Sequence, residues 1–208
     1  FTMSSPARPL GHVLIQSPAP ALTLQVFTDY TCPFCARMWK RLVSEVIPWM
    51  NATFPKQISL VAYTMPQPWH PQGTILAEAV LAVEAVSPTA LVPFISRIYE
   101  TRSDKWTDEK TVDKTRNQLY DECAALAADV GVDAAAVRDQ LTIKPDLKSG
   151  NLVRGLFKQY VKFARKNGMH VSPTVVVNGL EEGSISSGWT LEQWKEYVNG
   201  KLATRDEK

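Results

Sequence analysis

Phe27-Thr-Asp-Tyr-Thr-Cys-Pro-Phe-Cys-Ala-Arg-Met-Trp39 decides how this chain is read. Cys32 and Cys35 stand as C-x-x-C between an apolar, β-branched run, Leu22 to Phe27, and a helical pattern that begins at Pro33. The order is strand, turn, helix start. A thiol in the first turn of a helix meets unpaired backbone N–H groups and the positive end of the macrodipole, which favour its thiolate. The second cysteine follows one turn later on the same face, so the pair can close and reopen a disulfide by thiolate exchange. Pro33 suits that first turn, where a missing N–H costs nothing. Zinc would ask for about four ligands. Three cysteines and three histidines, without a second C-x-x-C, supply them poorly. A bridge across so short a loop adds little stability, so redox chemistry is the favoured use of the pair over a zinc site or a structural bridge.

Outward from this stretch, 208 residues with 45% hydrophobic side chains can bury a core of one domain, or of one domain with a large insertion. A net charge of +2 without a basic run gives no reason to expect nucleic acid. The longest apolar stretch, Ile75 to Val86, is interrupted by Glu78 and Glu84 and is too short to span a bilayer. Phe1 to Ser5 has no signal-peptide pattern, so a secretory signal is expected to be absent or already removed. Asn51-Ala-Thr53 is a glycosylation sequon that matters only on a eukaryotic secretory route.

Short strands are predicted at Val13 to Ile15, Leu22 to Phe27 and Ile58 to Tyr63, with Leu22 to Phe27 in the middle of the sheet because it is apolar on both faces. Between the second and third, an amphipathic helix runs from Pro33 to about Met50, bent or ended by Pro48. After the breaker-rich Met65 to Pro71 loop the pattern is helical for roughly a hundred residues. The expected pieces are Gly73 to Val86, a second from Ser87-Pro88 to about Thr101, and a long one from Thr107 to Val130. Two more follow, Ala134 to Leu141 capped by Asp133, and a last one opened by Asp146 or Ser149 and ending before Gly168. Thr174 to Val177, the Asn178-Gly179 turn and Gly183 to Ser187 read as a hairpin, and Thr190-Leu-Glu-Gln193 as a capping box opening a terminal helix. The fold class is α/β, with an all-helical insertion after the third strand.

With those residues in place, the chain resembles the thioredoxin superfamily, and within it the DsbA-like thiol-disulfide oxidoreductases. The likeness rests on Phe27 to Cys35, on the inserted helical block, and on Gly168-Met-His-Val-Ser-Pro-Thr-Val-Val-Val-Asn-Gly179. It implies a thioredoxin fold, a mixed central sheet flanked by helices. Residues 1–65 and 169–208 would form its two parts and 66–168 the inserted helical domain. It implies that Cys32 and Cys35 are the catalytic pair, and that Pro173 is cis and faces them. Ser172 would lie beside Cys32 and share in substrate binding. Cysteine-containing proteins or peptides would be the substrates, with an unidentified redox partner and no bound cofactor beyond the Cys32–Cys35 disulfide. The resemblance and the sequon favour an extracytoplasmic or secretory setting. Two other uses of such a fold stay open: a non-catalytic, chaperone-like binding module, and a glutathione-dependent transferase or isomerase.

One departure stands out. Where thioredoxins keep a buried acid six positions before the first cysteine, this chain has Val26. Asp29, in the turn, is expected to be solvated or capping. Pro33 and Phe34 lack the histidine of strongly oxidising relatives, so the potential cannot be read from them. Cys123 shares an apolar stripe with Leu119, Leu126 and Val130 and is expected in the core. His170 would modulate the thiolate or sit in water as a loop residue. His70 is expected to anchor its loop, and Trp69 and Phe34 to form an apolar patch around the cysteines or pack locally.

Overall fold

The computed structural model describes residues 10–145 and 150–204. Its centre is a five-stranded sheet built from β1 (His12–Ile15), β2 (Leu22–Thr28), β3 (Ile58–Thr64), β4 (Thr174–Val177) and β5 (Leu180–Glu181), in the order β1-β3-β2-β4-β5. As expected, β2 is central. It pairs in parallel with β3, from Leu22 with Ile58 to Thr28 with Thr64, and antiparallel with β4, where Phe27 meets Thr174. Parallel pairing demands a crossover. It is supplied by α1 (Pro33–Arg41) and α2 (Ile47–Thr53), joined through a widened π turn at Leu42–Val46. There Ile47 N–H reaches back five residues to the Leu42 carbonyl. The widening directly precedes Pro48, whose missing N–H and bulky ring would break a regular ladder, so the helix is deformed there instead of ended.

Alternation along the strands divides the core. Leu22, Leu24 and Val26 pack on one face with Met38, Leu42, Val46 and Met50, and with Trp194 and Val198 of α10 (Leu191–Ala203). Phe27 and Tyr63 belong to the opposite layer, stacked on Phe163 of α9 (Arg154–Lys166). That layer continues into the helices between β3 and β4. They are α3 (Gly73–Val86), α4 (Leu91–Glu100), two single turns α5 (Arg102–Lys105) and α6 (Asp108–Thr111), then α7 (Arg116–Ala128), α8 (Ala134–Leu141) and α9.

Two expectations need correction, and a third falls outside the described residues. The predicted Thr107 to Val130 helix is two helices, because Thr115 and Gln118 form a reciprocal capping box that starts α7 afresh after α6. The predicted strand Gly183 to Ser187 is turn and bend; the partner of β4 is the two-residue β5, which follows the Asn178-Gly179 turn immediately. Asp146 and Ser149 lie outside the described residues, and the described helix after them starts at Arg154.

Two buried acids interrupt the apolar α3. Glu78 accepts from Arg116 (2.9 Å), Asn151 (3.0 Å), Arg154 and Tyr120. Glu84 pairs with the fully buried His12 at 3.0 Å, whose other ring nitrogen lies 3.0 Å from the Thr64 hydroxyl. Each carboxylate is thus compensated, as burial requires. Among the described residues no helix is long and apolar enough to cross a membrane.

Candidate active site

β2 ends at Thr28, and the chain turns through Asp29-Tyr-Thr31 to place Cys32 at the N-cap of α1 in extended conformation, with Pro33 as the first helical residue. Cys35, one turn later, points into the core and is 0% exposed; Cys32 is 5% exposed. The outer thiol is therefore more shielded than an open, solvent-bathed cysteine. Both are free thiols here. Pro33 is exposed, and Phe34 is 53% exposed between them.

Across from Cys32 runs the segment ending in Ser172-Pro173, joined by a cis peptide bond. Pairing of β4 with β2 brings it there, and the Cys32 Sγ lies 3.5 Å from the Ser172 carbonyl oxygen. The two thiols are electrostatically unequal. Hydrogen bonding from Cys35 leads in lowering the Cys32 pKa to about 6; burial opposes it, and the Cys35 N–H, Ser172 and the Phe34 N–H assist. Burial first, then the neighbouring Cys32, pushes the Cys35 thiol well above its ordinary value. One sulfur is ready to be a thiolate near neutrality, and the other holds its proton.

Val26 is buried in the apolar layer with Met38 and Leu42, whereas Cys35 packs in the opposite layer with Phe27, so no acid comes from position 26. The acid near the pair is Asp29, and it is neither solvated nor a surface cap. It is 0% exposed, and both carboxylate oxygens are bonded. Oδ1 accepts from the Thr31 N–H (2.8 Å) and hydroxyl (2.5 Å). Oδ2 accepts from the Gln67 N–H (2.7 Å) and His70 Nδ1 (2.8 Å). The Asp29 N–H donates to the Cys35 Sγ at 3.4 Å. His70 does anchor its loop, and Asp29 is what it anchors to. Tyr99 completes this wall, its hydroxyl 2.7 Å from that of Thr28 and donating to the Asp29 carbonyl at 3.2 Å. Sequence reasoning missed Tyr99 and Thr28, since no local pattern announces an α4 residue meeting the end of β2.

His170 is exposed and, with Trp69 (59% exposed), His70 and Met169, lines a groove of about 570 Å³ between the Met65 to Pro71 loop and α9. His170 faces this groove, and Phe34 and Trp69 are surface aromatics and not core ones. Cys123 is buried in α7, where desolvation raises its pKa strongly. Among the described residues no three His, Cys, Asp or Glu side chains are grouped to hold a metal ion.

A mixed sheet with a C-x-x-C pair at the head of its first crossover helix, faced by a cis-proline segment, is a thioredoxin fold carrying an inserted helical block. The family model described as Thioredoxin matches residues 11–199. The chain belongs to the thioredoxin family. Solved structures agree on the fold. A provisionally assigned protein-disulfide isomerase from Pseudomonas syringae superposes with a TM-score of 0.69 at 20% identity, covering 91% of this chain and 96% of its own. BdbD of Bacillus subtilis, in its oxidised form, gives 0.64 at 17% identity over 93% of each chain. The oxidoreductase DsbA of Xylella fastidiosa gives 0.61 at 19% identity, over 95% of this chain and 92% of that one. No curated protein matches the chain in sequence.

Proposed function

We propose that this chain is a DsbA-like thiol-disulfide oxidoreductase acting on cysteine-containing proteins or peptides, with Cys32 as nucleophile and Cys35 as resolving thiol. The observation that carries this reading is the inequality of the two thiols: Cys32, at a helix N-terminus, has its pKa lowered to about 6, and fully buried Cys35 has its raised. In the oxidising direction a substrate thiolate attacks the Cys32 sulfur of the Cys32–Cys35 disulfide, and Cys35 leaves as a thiolate that takes up a proton. A second substrate thiolate then attacks the substrate sulfur of the mixed disulfide, and Cys32 leaves. The substrate loses two electrons and the Cys32–Cys35 pair gains them.

A stabilised Cys32 thiolate stabilises the reduced protein, which makes the disulfide an oxidant. We therefore favour oxidation, with a potential between about −270 mV for thioredoxin and about −120 mV for DsbA. Ser172 and Pro173 are assigned to holding an extended substrate segment beside Cys32, with Phe34 offering apolar contact. The chemistry needs no resident cofactor, only an external redox partner to restore the disulfide. The resemblance favours an extracytoplasmic or secretory setting, where a disulfide persists.

The test is exchange with a reduced dithiol peptide. Cys32→Ser is expected to abolish it, and Cys35→Ser to accumulate a mixed disulfide through Cys32. Oxidation of the peptide at the native rate by Cys32→Ser would remove the assignment.

A further inference from the structure

We propose that His70 and Asp29 are positioning residues for the resolving thiol: the pair clamps the Asp29 N–H onto the Cys35 sulfur and so governs the attack of Cys35 on a mixed disulfide of Cys32, the second step in the reducing direction, without setting the attack by Cys32 that precedes it. The inference rests on the oxidoreductase reading above and assigns it a control that the cysteine pair alone does not contain.

Cys35 is sealed from solvent, yet in the reducing direction its thiolate must form to attack the Cys32 sulfur of a mixed disulfide. The Cys32–Cys35 bond forms, the bond from Cys32 to the substrate breaks, and the substrate departs as a thiolate carrying the electron pair. A thiolate in a dry layer needs a donor aimed at it. The backbone N–H of Asp29, 3.4 Å from the Cys35 Sγ, is such a donor, and position 26 contributes only a valine side chain. That N–H belongs to the Thr28–Asp29 peptide, held on its strand side by the Met65 N–H, 2.8 Å from the Thr28 carbonyl, and on its turn side by the Asp29 side chain, which takes four donors, two from its own turn and two from the loop 38 to 41 residues on. Gln67 contributes its backbone, which a side-chain substitution does not remove. His70 contributes its ring, which is replaceable.

His70 is also the member of the clamp that meets solvent: its side chain is 20% exposed, while that of Asp29 is 0%. Its ring forms part of the groove wall with Trp69 and His170. The clamp thus joins a solvent-facing groove wall to the buried sulfur that must displace the substrate. Taking away the His70 donor leaves a buried carboxylate under-bonded, and the Asp29 turn is expected to relax toward water, carrying its N–H off the sulfur.

The experiment follows the reduced protein reacting with an excess of a nitrated aryl disulfide, whose released aryl thiolate is coloured. Colour appears twice, once when Cys32 attacks the reagent and once when Cys35 resolves the resulting mixed disulfide. For His70→Ala the second phase is expected to slow about fivefold to tenfold, the worth of one ordinary hydrogen bond, while the first stays within about twofold. His70→Asn, whose side-chain amide can take the place of the Nδ1 donor, is expected to restore the second phase. A second phase unchanged in His70→Ala overturns the clamp, as does equal slowing of both phases or failure of His70→Asn to rescue. If instead the wild-type protein shows no second phase, or Cys35→Ser retains it, the oxidoreductase reading itself fails, which is a separate result.

Discussion

The sulfur of Cys32 lies 3.5 Å from the carbonyl oxygen of Ser172, a residue 140 positions further along the chain. That approach depends on the sheet: β4 is registered on β2 from Phe27 and Thr174 to Leu24 and Val177, so the segment before Thr174 must arrive over the start of α1. The fold's contribution to chemistry is this meeting of a helix N-terminus with a loop it could not reach locally.

Stability of the reduced protein should depend on pH through Cys32. Its pKa falls from about 8.5 in an unfolded chain to about 6 when folded, so between those values the unfolded state holds a proton that the folded state does not. The contribution is full above about 8.5, shrinks as pH falls, and is gone below about 6. Urea unfolding of reduced wild type against reduced Cys32→Ser should show a gap that widens by up to about 3 kcal/mol between pH 6 and 8.5. A gap that is flat across this range would show the thiolate to be no better stabilised when folded.

Substrate affinity should respond to the two exposed aromatics. Phe34→Ser or Trp69→Ser removes apolar surface that packs against little in the free protein, since Phe34 is 53% and Trp69 59% exposed. We expect kcat/KM for a reduced peptide to fall about tenfold for either, the effect of losing one interface anchor, with alkylation of Cys32 unchanged. Unaltered kcat/KM would place substrate elsewhere.

Scaffold and site should come apart at Glu78. Its carboxylate is fully buried among Arg116, Arg154, Tyr120 and Asn151, and Glu78→Ala leaves those donors facing one another. A loss of about 3 kcal/mol in unfolding free energy is expected, with the exchange rate per folded molecule retained. At the other end of the chain, Thr190→Ala should cost about 1 kcal/mol by removing the cap of α10, again without touching exchange.

Most of the fold was legible because its signals are local. The β-branched runs at Leu22, Ile58 and Thr174 announce strands, and Thr190 with Gln193 announces α10. The same rule applied to Thr115-Arg-Asn-Gln118 would have divided the predicted Thr107 to Val130 helix, but unbroken apolar spacing hid the cap. β5 escaped because a two-residue, exposed edge strand carries no alternation. The spacing of Cys32 and Cys35 singles them out, and the cis bond of Ser172-Pro173 across from them was implied by the resemblance. The burial of Asp29 could not, since its partners Gln67 and His70 become neighbours only when the loop after β3 folds over the turn after β2.

Alkylation of Cys32 against pH, in the reduced protein, puts the unequal thiols to trial most directly. A rate that rises through a midpoint near about 6, with Cys35 and Cys123 unmodified on the same timescale, is the predicted result. A midpoint at or above the free-thiol value of about 8.5 would contradict it.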